Sequence, residues 1–217
     1  MLGLATGSTP KTLYKELVRM HKEEKLSFKN VIAFNLDEYY PIANDALQSY
    51  HRFMRINLFD HVDINPKNIH IPNGSIDKDD IKEHCRDYER KIKDAGGIDL
   101  QILGIGRTGH IGFNEPTGSL RSRTWLKILS EQTLKDNSAV FGSLEGMPKH
   151  ALTMGIGTIL DAKRILLLAF GPAKVRAVEH MVEGPLAAIC PGSALQMHPR
   201  ATVILDENSA AGLHYAE

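Results

Sequence analysis

Asp37, His110 and Glu115 are the residues of this chain whose types and settings best suit acid–base chemistry. His110 and Glu115 sit in Gly104-Ile105-Gly106-Arg107-Thr108-Gly109-His110-Ile111-Gly112-Phe113-Asn114-Glu115-Pro116, thirteen residues that hold four glycines. Glycine costs about 1 kcal/mol against alanine inside a helix, so the stretch reads as a loop. It follows the strand-like run Asp99-Leu100-Gln101-Ile102-Leu103, and loops held by a rigid sheet are where reactive groups tend to sit. Two chemistries compete for it. Gly104, Gly106 and Gly109 satisfy the G-x-G-x-x-G spacing of a dinucleotide turn, but that turn should open a helix, which Gly112 and Pro116 interrupt. The other reading makes His110 and Glu115 the working groups and uses the glycines to let backbone approach a ligand. A structural turn whose histidine satisfies backbone groups is the plainer alternative.

Asp37 stands next to Glu38 just beyond the apolar run Val31-Ile32-Ala33-Phe34. Open α/β sheets bind ligands beyond the C-terminal ends of their strands. Successive strand side chains face opposite ways, so the two carboxylates are expected in different surroundings. One is then free to act as a base while the other pairs structurally; a solvated acidic loop is the alternative.

A third group of residues suits an anion. Gly7-Ser8-Thr9-Pro10 follows the strand-like Leu2-Gly3-Leu4-Ala5-Thr6 and precedes Leu13, Leu17 and Met20 at helical spacing. Thr9 is expected as the N-cap and Pro10 as the first helical residue. Free backbone N–H groups and the helix dipole would then both face Gly7, Ser8 and Thr9. An ordinary capped helix is the alternative, and no Gly-Lys-Ser/Thr follows to make a P-loop. Lys174, after Gly171-Pro172-Ala173, is expected in the first turn of a helix reaching Val182. A cation there opposes the dipole, which makes sense if it reaches an anion held at the same end.

The elements that must position these groups alternate along the chain. Strands are expected at residues 2–6, 31–34, 99–103, 124–129, 151–154, 164–170 and 201–205. Helices are expected from Thr9 to about Glu24, across 49–62, from Asp77 to Ala95, across 130–141, at 155–160 and at 171–182. The helix 77–95 places Ile81, Cys85, Tyr88 and Ile92 on one face and stops at Gly96-Gly97. Apolar strands without alternation, separated by helices, indicate one α/β domain with an open, mostly parallel sheet covered on both faces, a three-layer Rossmann-like sandwich.

Composition narrows the partners. The 217 residues are 42% hydrophobic and 24% charged, with 26 basic residues balanced by 26 acidic ones. A neutral balance argues against nucleic acid or a membrane surface as the main partner, and no apolar run approaches a membrane span. Met1-Leu2-Gly3-Leu4 has no basic region before it and does not read as a signal peptide. Cys85 and Cys190 lie far apart without C-x-x-C spacing, so a reducing cytoplasm is expected, with neither thiol reactive.

Together these motifs resemble glucosamine-6-phosphate deaminase. The resemblance runs through Leu2 to Pro10, Phe34-Asn35-Leu36-Asp37-Glu38-Tyr39, Gly109 to Pro116, Ala151-Leu152-Thr153-Met154-Gly155 with Thr158-Ile159-Leu160, Lys174, and Leu195-Gln196-Met197-His198-Pro199. It is similar, more distantly, to 6-phosphogluconolactonases, which share the fold but not the Asp-Glu-Tyr and Asn-Glu-Pro signatures. The resemblance implies that glucosamine 6-phosphate and water become fructose 6-phosphate and ammonia. Asp37 would move the proton from C2 to C1; His110 would assist ring opening, with Glu115 orienting it and Thr108 beside it. Gly7, Ser8 and Thr9 would hold the phosphate with Lys174 as counter-charge. The implied partner is a small sugar phosphate, with a homo-oligomer left open and no metal or organic cofactor expected.

The chain also departs from the family pattern. Thr108 stands where Asp or Asn is common, and Ala139, after Asn137-Ser138, stands where an arginine often contacts phosphate. Arg107, Arg121 and Arg123 are the candidates to replace that arginine. Gly118 and Trp125 occupy positions that match an effector site in some hexameric members, so that regulation is not expected. Family members usually carry another strand and helix before the first strand and more chain after the last, so the sequence is expected to lack those parts. Lactone hydrolysis, a non-catalytic sugar-phosphate sensor and a nicotinamide-binding domain are the competing functions.

Overall fold

The structure, a computed structural model, describes residues 1–214. β1 (Leu2–Leu4) and α1 (Lys11–Glu24) come first, and β2 (Ala33–Asn35) turns almost directly into β3 (Asp37–Tyr40). α2 (Tyr50–Asn57), β4 (Ile69–His70), α3 (Ile81–Asp94) and β5 (Leu100–Gly104) follow. After β5 come β6 (Trp125–Ile128), α4 (Glu131–Phe141), β7 (His150–Thr153), α5 (Ile156–Leu160) and β8 (Ile165–Ala169). Then come α6 (Val175–Val182), β9 (Ala201–Leu205) and α7 (Glu207–Ala210).

Six strands form a sheet in the order β4-β2-β1-β5-β8-β9, with every neighbouring pair parallel. Its alternating side chains build two cores. Leu4, Ala33 and Ile102 pack under α1 and α2 with Tyr14, Met54 and Leu58. Phe34, Leu103 and Leu167 pack on the other side with Tyr88, Ile159 and Val178. A sheet covered on both faces needs apolar residues at consecutive positions, which is why these strands show no polar alternation. Truncating a fully buried leucine such as Leu103 would cost about 2–5 kcal/mol. No helix among the described residues is long and apolar enough to cross a membrane.

The strand order also creates a crevice. From β1 the chain builds outward to β2 and β4, then returns to β5 and builds the other way to β8 and β9. The loops leaving β1 and β5 therefore diverge from adjacent strand ends, the place where open sheets of this type take ligands.

A second sheet, β3-β7-β6, is wholly antiparallel and was not expected from the sequence. Asp37-Glu38-Tyr39-Tyr40 is accordingly a strand, not a loop beyond one. The physical reason is Leu36. Its N–H donates to the Leu4 carbonyl at 2.9 Å in the parallel sheet, while its own carbonyl accepts from Met154 N–H at 2.7 Å in the second. One residue thus hands the chain from one ladder to the other.

Two local expectations are corrected. Thr9 does not cap α1: Pro10 holds that position, no side chain caps it, and α1 starts at Lys11. The turn is closed by backbone, with Lys11 N–H donating to Ser8 O at 3.3 Å. Lys174 is not in the first turn of α6; it ends a short 3-10 turn, Pro172–Lys174, and sits at the N-cap of α6.

Candidate active site

Beyond the ends of β1 and β5 lies a cavity of about 260 Å³. Ala5 to Thr9 line it from the β1 loop, Gly104 to Arg107, His110, Gly112 and Phe113 from the β5 loop, and Asp37 from β3. Tyr50, Thr133, Asp136, Asn137 and Lys174 complete the wall. Gly7, Ser8, Thr9, Asp37, His110 and Lys174 therefore share one space. Thr108 and Glu115 stand behind it, each against the imidazole of His110. A larger groove, about 1530 Å³, runs along α3 past Trp125 and Arg123, but it holds none of these groups.

Asp37 and Glu38 illustrate how one strand makes two carboxylates different. Glu38 is fully buried and accepts from the N–H groups of Tyr39, Tyr50 and His51 and from His51 Nδ1, at 2.8–3.1 Å. It anchors the start of α2 to β3. Asp37, next along the chain, faces the cavity and is only 5% exposed. Burial, reinforced by the charge of Glu38, pushes its carboxyl up to about 8. A carboxylate with that basicity is a stronger acceptor for a carbon-bound proton and still ionises near neutral pH.

The β5 loop is folded around its histidine. Gly106 N–H donates to His110 O at 2.9 Å, and the imidazole lies so close over Gly106 that a side chain there would run into the ring. Gly109 has φ of +80° and packs against Cys190, whose Sγ a methyl group at Gly109 would approach to 2.6 Å. Asn114 clamps the far end: its Nδ2 donates to the carbonyls of Ile111 at 2.9 Å and Met154 at 2.7 Å, and its Oδ1 accepts from Trp125 Nε1. The clamp sets Gly112 beside β3, where a methyl group would stand 3.6 Å from Asp37 Oδ2. The glycines give room for backbone and ring, and the dinucleotide reading of the loop fails because no helix follows it.

Thr108 Oγ1 is 2.8 Å from His110 Nδ1, and Glu115 Oε2 is 3.5 Å from the same nitrogen. Glu115 is fixed from its other oxygen, which accepts from Thr133 Oγ1 at 2.5 Å and from Ser130 N–H at 3.2 Å. Burial opposes its ionisation, but His110 and these donors outweigh it and hold the carboxyl down at about 2. Oε2 has no closer partner and is buried, so an Nδ1–H on His110 is the donor available to it. Thr108, at the shorter distance, can accept from or donate to the same nitrogen. Glu115, which can only accept, favours the tautomer that carries its proton on Nδ1 and leaves Nε2 as the basic atom.

The Gly7-Ser8-Thr9 turn and Lys174 line the same cavity. Burial lowers the pKa of Lys174, Asp136 raises it and Arg107 lowers it, so the three side chains lie within one another's fields. Gly7, with φ of +99°, takes the backbone through a turn that other residues would strain to make. Exposed N–H groups at such a turn and a nearby ammonium are complementary to a phosphate.

The conserved-domain description "Glucosamine-6-phosphate isomerases/6-phosphogluconolactonase" matches residues 1–204. The chain belongs to that family. Within the family, the glucosamine-6-phosphate deaminase of Hahella chejuensis is 58% identical over 213 residues, covering 98% of this chain and 80% of that protein. That of Thermoanaerobacter pseudethanolicus is 49% identical, covering 97% and 83%. The solved structure of a monomeric glucosamine-6-phosphate deaminase superposes with a TM-score of 0.95 at 47% identity, covering 98% of this chain and 87% of that one. The 6-phosphogluconolactonase of Thermotoga maritima superposes with a TM-score of 0.72 at 22% identity, which is a likeness of fold alone.

Sequence reasoning missed Tyr50, Thr133 and Asp136 as cavity or support residues. Asp136 and Thr133 lie on a polar helix with no periodic signal towards a site, and Tyr50 reads as one more apolar position of its helix. Only the resemblance, through Asn137-Ser138, pointed at α4.

Proposed function

We propose that the chain is a glucosamine-6-phosphate deaminase, converting glucosamine 6-phosphate and water into fructose 6-phosphate and ammonia within one catalytic domain. The observation that carries this reading is the placement of Asp37, a buried carboxylate with raised basicity, in the same cavity as His110 and an anion turn. The phosphate would lie on Gly7, Ser8 and Thr9 with Lys174 as counter-charge. His110 would use Nε2 for the proton transfer of ring opening, held in the required tautomer by Glu115 with Thr108 beside it. Asp37 would then take the C2 proton of the open-chain sugar and return it to C1. Water adding to the resulting C2 iminium carbon expels ammonia and leaves the ketose.

Cys85 and Cys190 are buried and unpaired, which fits a cytoplasmic enzyme of amino-sugar breakdown. The test is incubation with glucosamine 6-phosphate, measuring ammonia and fructose 6-phosphate together. Equimolar release of both, abolished by Asp37→Asn, is expected. Turnover of 6-phosphogluconolactone instead, unaffected by Asp37→Asn, would replace this reading, because lactone hydrolysis needs no carbon-acid base.

A further inference from the structure

Ala139 does not line the cavity and provides no cation there, and the arrangement around α4 identifies another source. Of the three arginines in the neighbouring sequence, Arg123 is committed elsewhere: it pairs with Asp161 at 2.6 Å and Glu89 at 3.3 Å beside the α3 groove. Arg121 lines neither space. Arg107 lines the cavity with Gly7, Ser8, Thr9 and Lys174. Its Nη1 lies 3.3 Å from Oδ1 of Asp136 on α4, an oxygen that also accepts from Gln132 Nε2 at 2.8 Å.

We propose that Arg107 is a phosphate-binding residue masked by Asp136, and that the substrate phosphate displaces Asp136 from it. The inference rests on the sugar-phosphate reading of this cavity. Arg107 and Asp136 are both partly exposed, 54% and 30% at their side chains, so their pairing is weak and readily exchanged. A phosphate dianion offers more charge and more acceptor oxygens to a guanidinium than one carboxylate does. Asp136 is then a competitor for the substrate, and it discriminates: a neutral sugar leaves the Arg107–Asp136 pair closed. The helix that carries Asp136 also holds Glu115 through Ser130 N–H and Thr133 Oγ1 at its first turn. Release of Asp136 therefore occurs within a turn of Thr133, on the element that orients the histidine partner.

Steady-state kinetics with glucosamine 6-phosphate, with inorganic phosphate as competitive inhibitor, test this directly. Arg107→Ala is expected to raise KM and the phosphate inhibition constant about tenfold each with kcat within about twofold. Asp136→Asn, nearly isosteric, is expected to do the reverse and tighten phosphate inhibition about threefold. That gain disappears in the Arg107→Ala/Asp136→Asn double variant. A folding defect cannot mimic tighter inhibition. If wild type turns over the sugar phosphate but Asp136→Asn weakens or leaves unchanged its inhibition by phosphate, the mask is overturned while the function stands. If wild type neither turns over the sugar phosphate nor is inhibited by phosphate, the functional reading fails first.

Discussion

The two ends of the cavity are built from different materials. The reacting end is made of buried carboxylates set by strand and loop, Asp37 and Glu115, whose surroundings push their acidities in opposite directions. The anion end is made of backbone turns and of partly exposed side chains, Arg107 and Asp136, with the half-buried Lys174 within their fields. Burial makes an individual group chemically unusual and hard to replace. A wall of several shared, solvated contacts makes binding tolerant of change. Substitutions at the first end should therefore act on kcat, and substitutions at the second on KM.

The largest expected effect is that of Asp37→Asn, which should lower kcat about 10³-fold with KM little changed, read by ammonia release. In the wild-type free enzyme the acidic limb of kcat/KM should fall nearer pH 8 than pH 4, because of the raised carboxyl. Glu115→Gln should cost about 10²-fold in kcat, since it loosens the imidazole without removing the base. At the other end, Lys174→Ala should raise KM about tenfold and spare kcat within a few-fold. A loss of kcat at Lys174 matching that at Asp37 would erase the distinction between the two ends.

The same contrast predicts opposite stability slopes. Native Asp37 keeps its proton between about pH 4 and 8 while the unfolded chain has lost it. The native state binds more protons in that window, so its contribution to stability is present below pH 4 and declines as pH rises to 8. Asp37→Asn should remove this decline and leave the protein more stable than wild type at pH 8.5, measured by urea unfolding. Glu115 behaves in the reverse sense: its held-down carboxyl contributes fully above about pH 4.5 and loses that contribution as pH falls towards 2. The smallest effect should be that of Thr108→Ala, a few-fold in kcat, because Glu115 remains to accept from Nδ1.

How much of this was legible before the structure depended on whether the signal was local. The loop around His110 could be read because glycine density and its position after an apolar run are local features. The divergence of Asp37 and Glu38 followed from strand geometry even though the expected strand stopped at Phe34. The antiparallel sheet could not be read, because β3, β6 and β7 are four residues each and β3 depends on pairing with β7, from which more than 80 residues separate it. Capping at Thr9 was misjudged because Pro10 satisfied the local pattern one residue too early, and backbone closed the turn without the hydroxyl.

The adjacency of β1 and β5 has a consequence for how the enzyme comes into being. Leu2 lies beside Leu100, and Gly3 beside Gln101, whose side chain occupies the space a Cβ on Gly3 would fill. The anion turn and the histidine loop are thus brought together only when residues about a hundred positions apart have found their register. Contacts of such long range form late and slowly in folding chains. During refolding from denaturant, helical signal should return ahead of phosphate binding, and phosphate binding should return with the closing of this central pair.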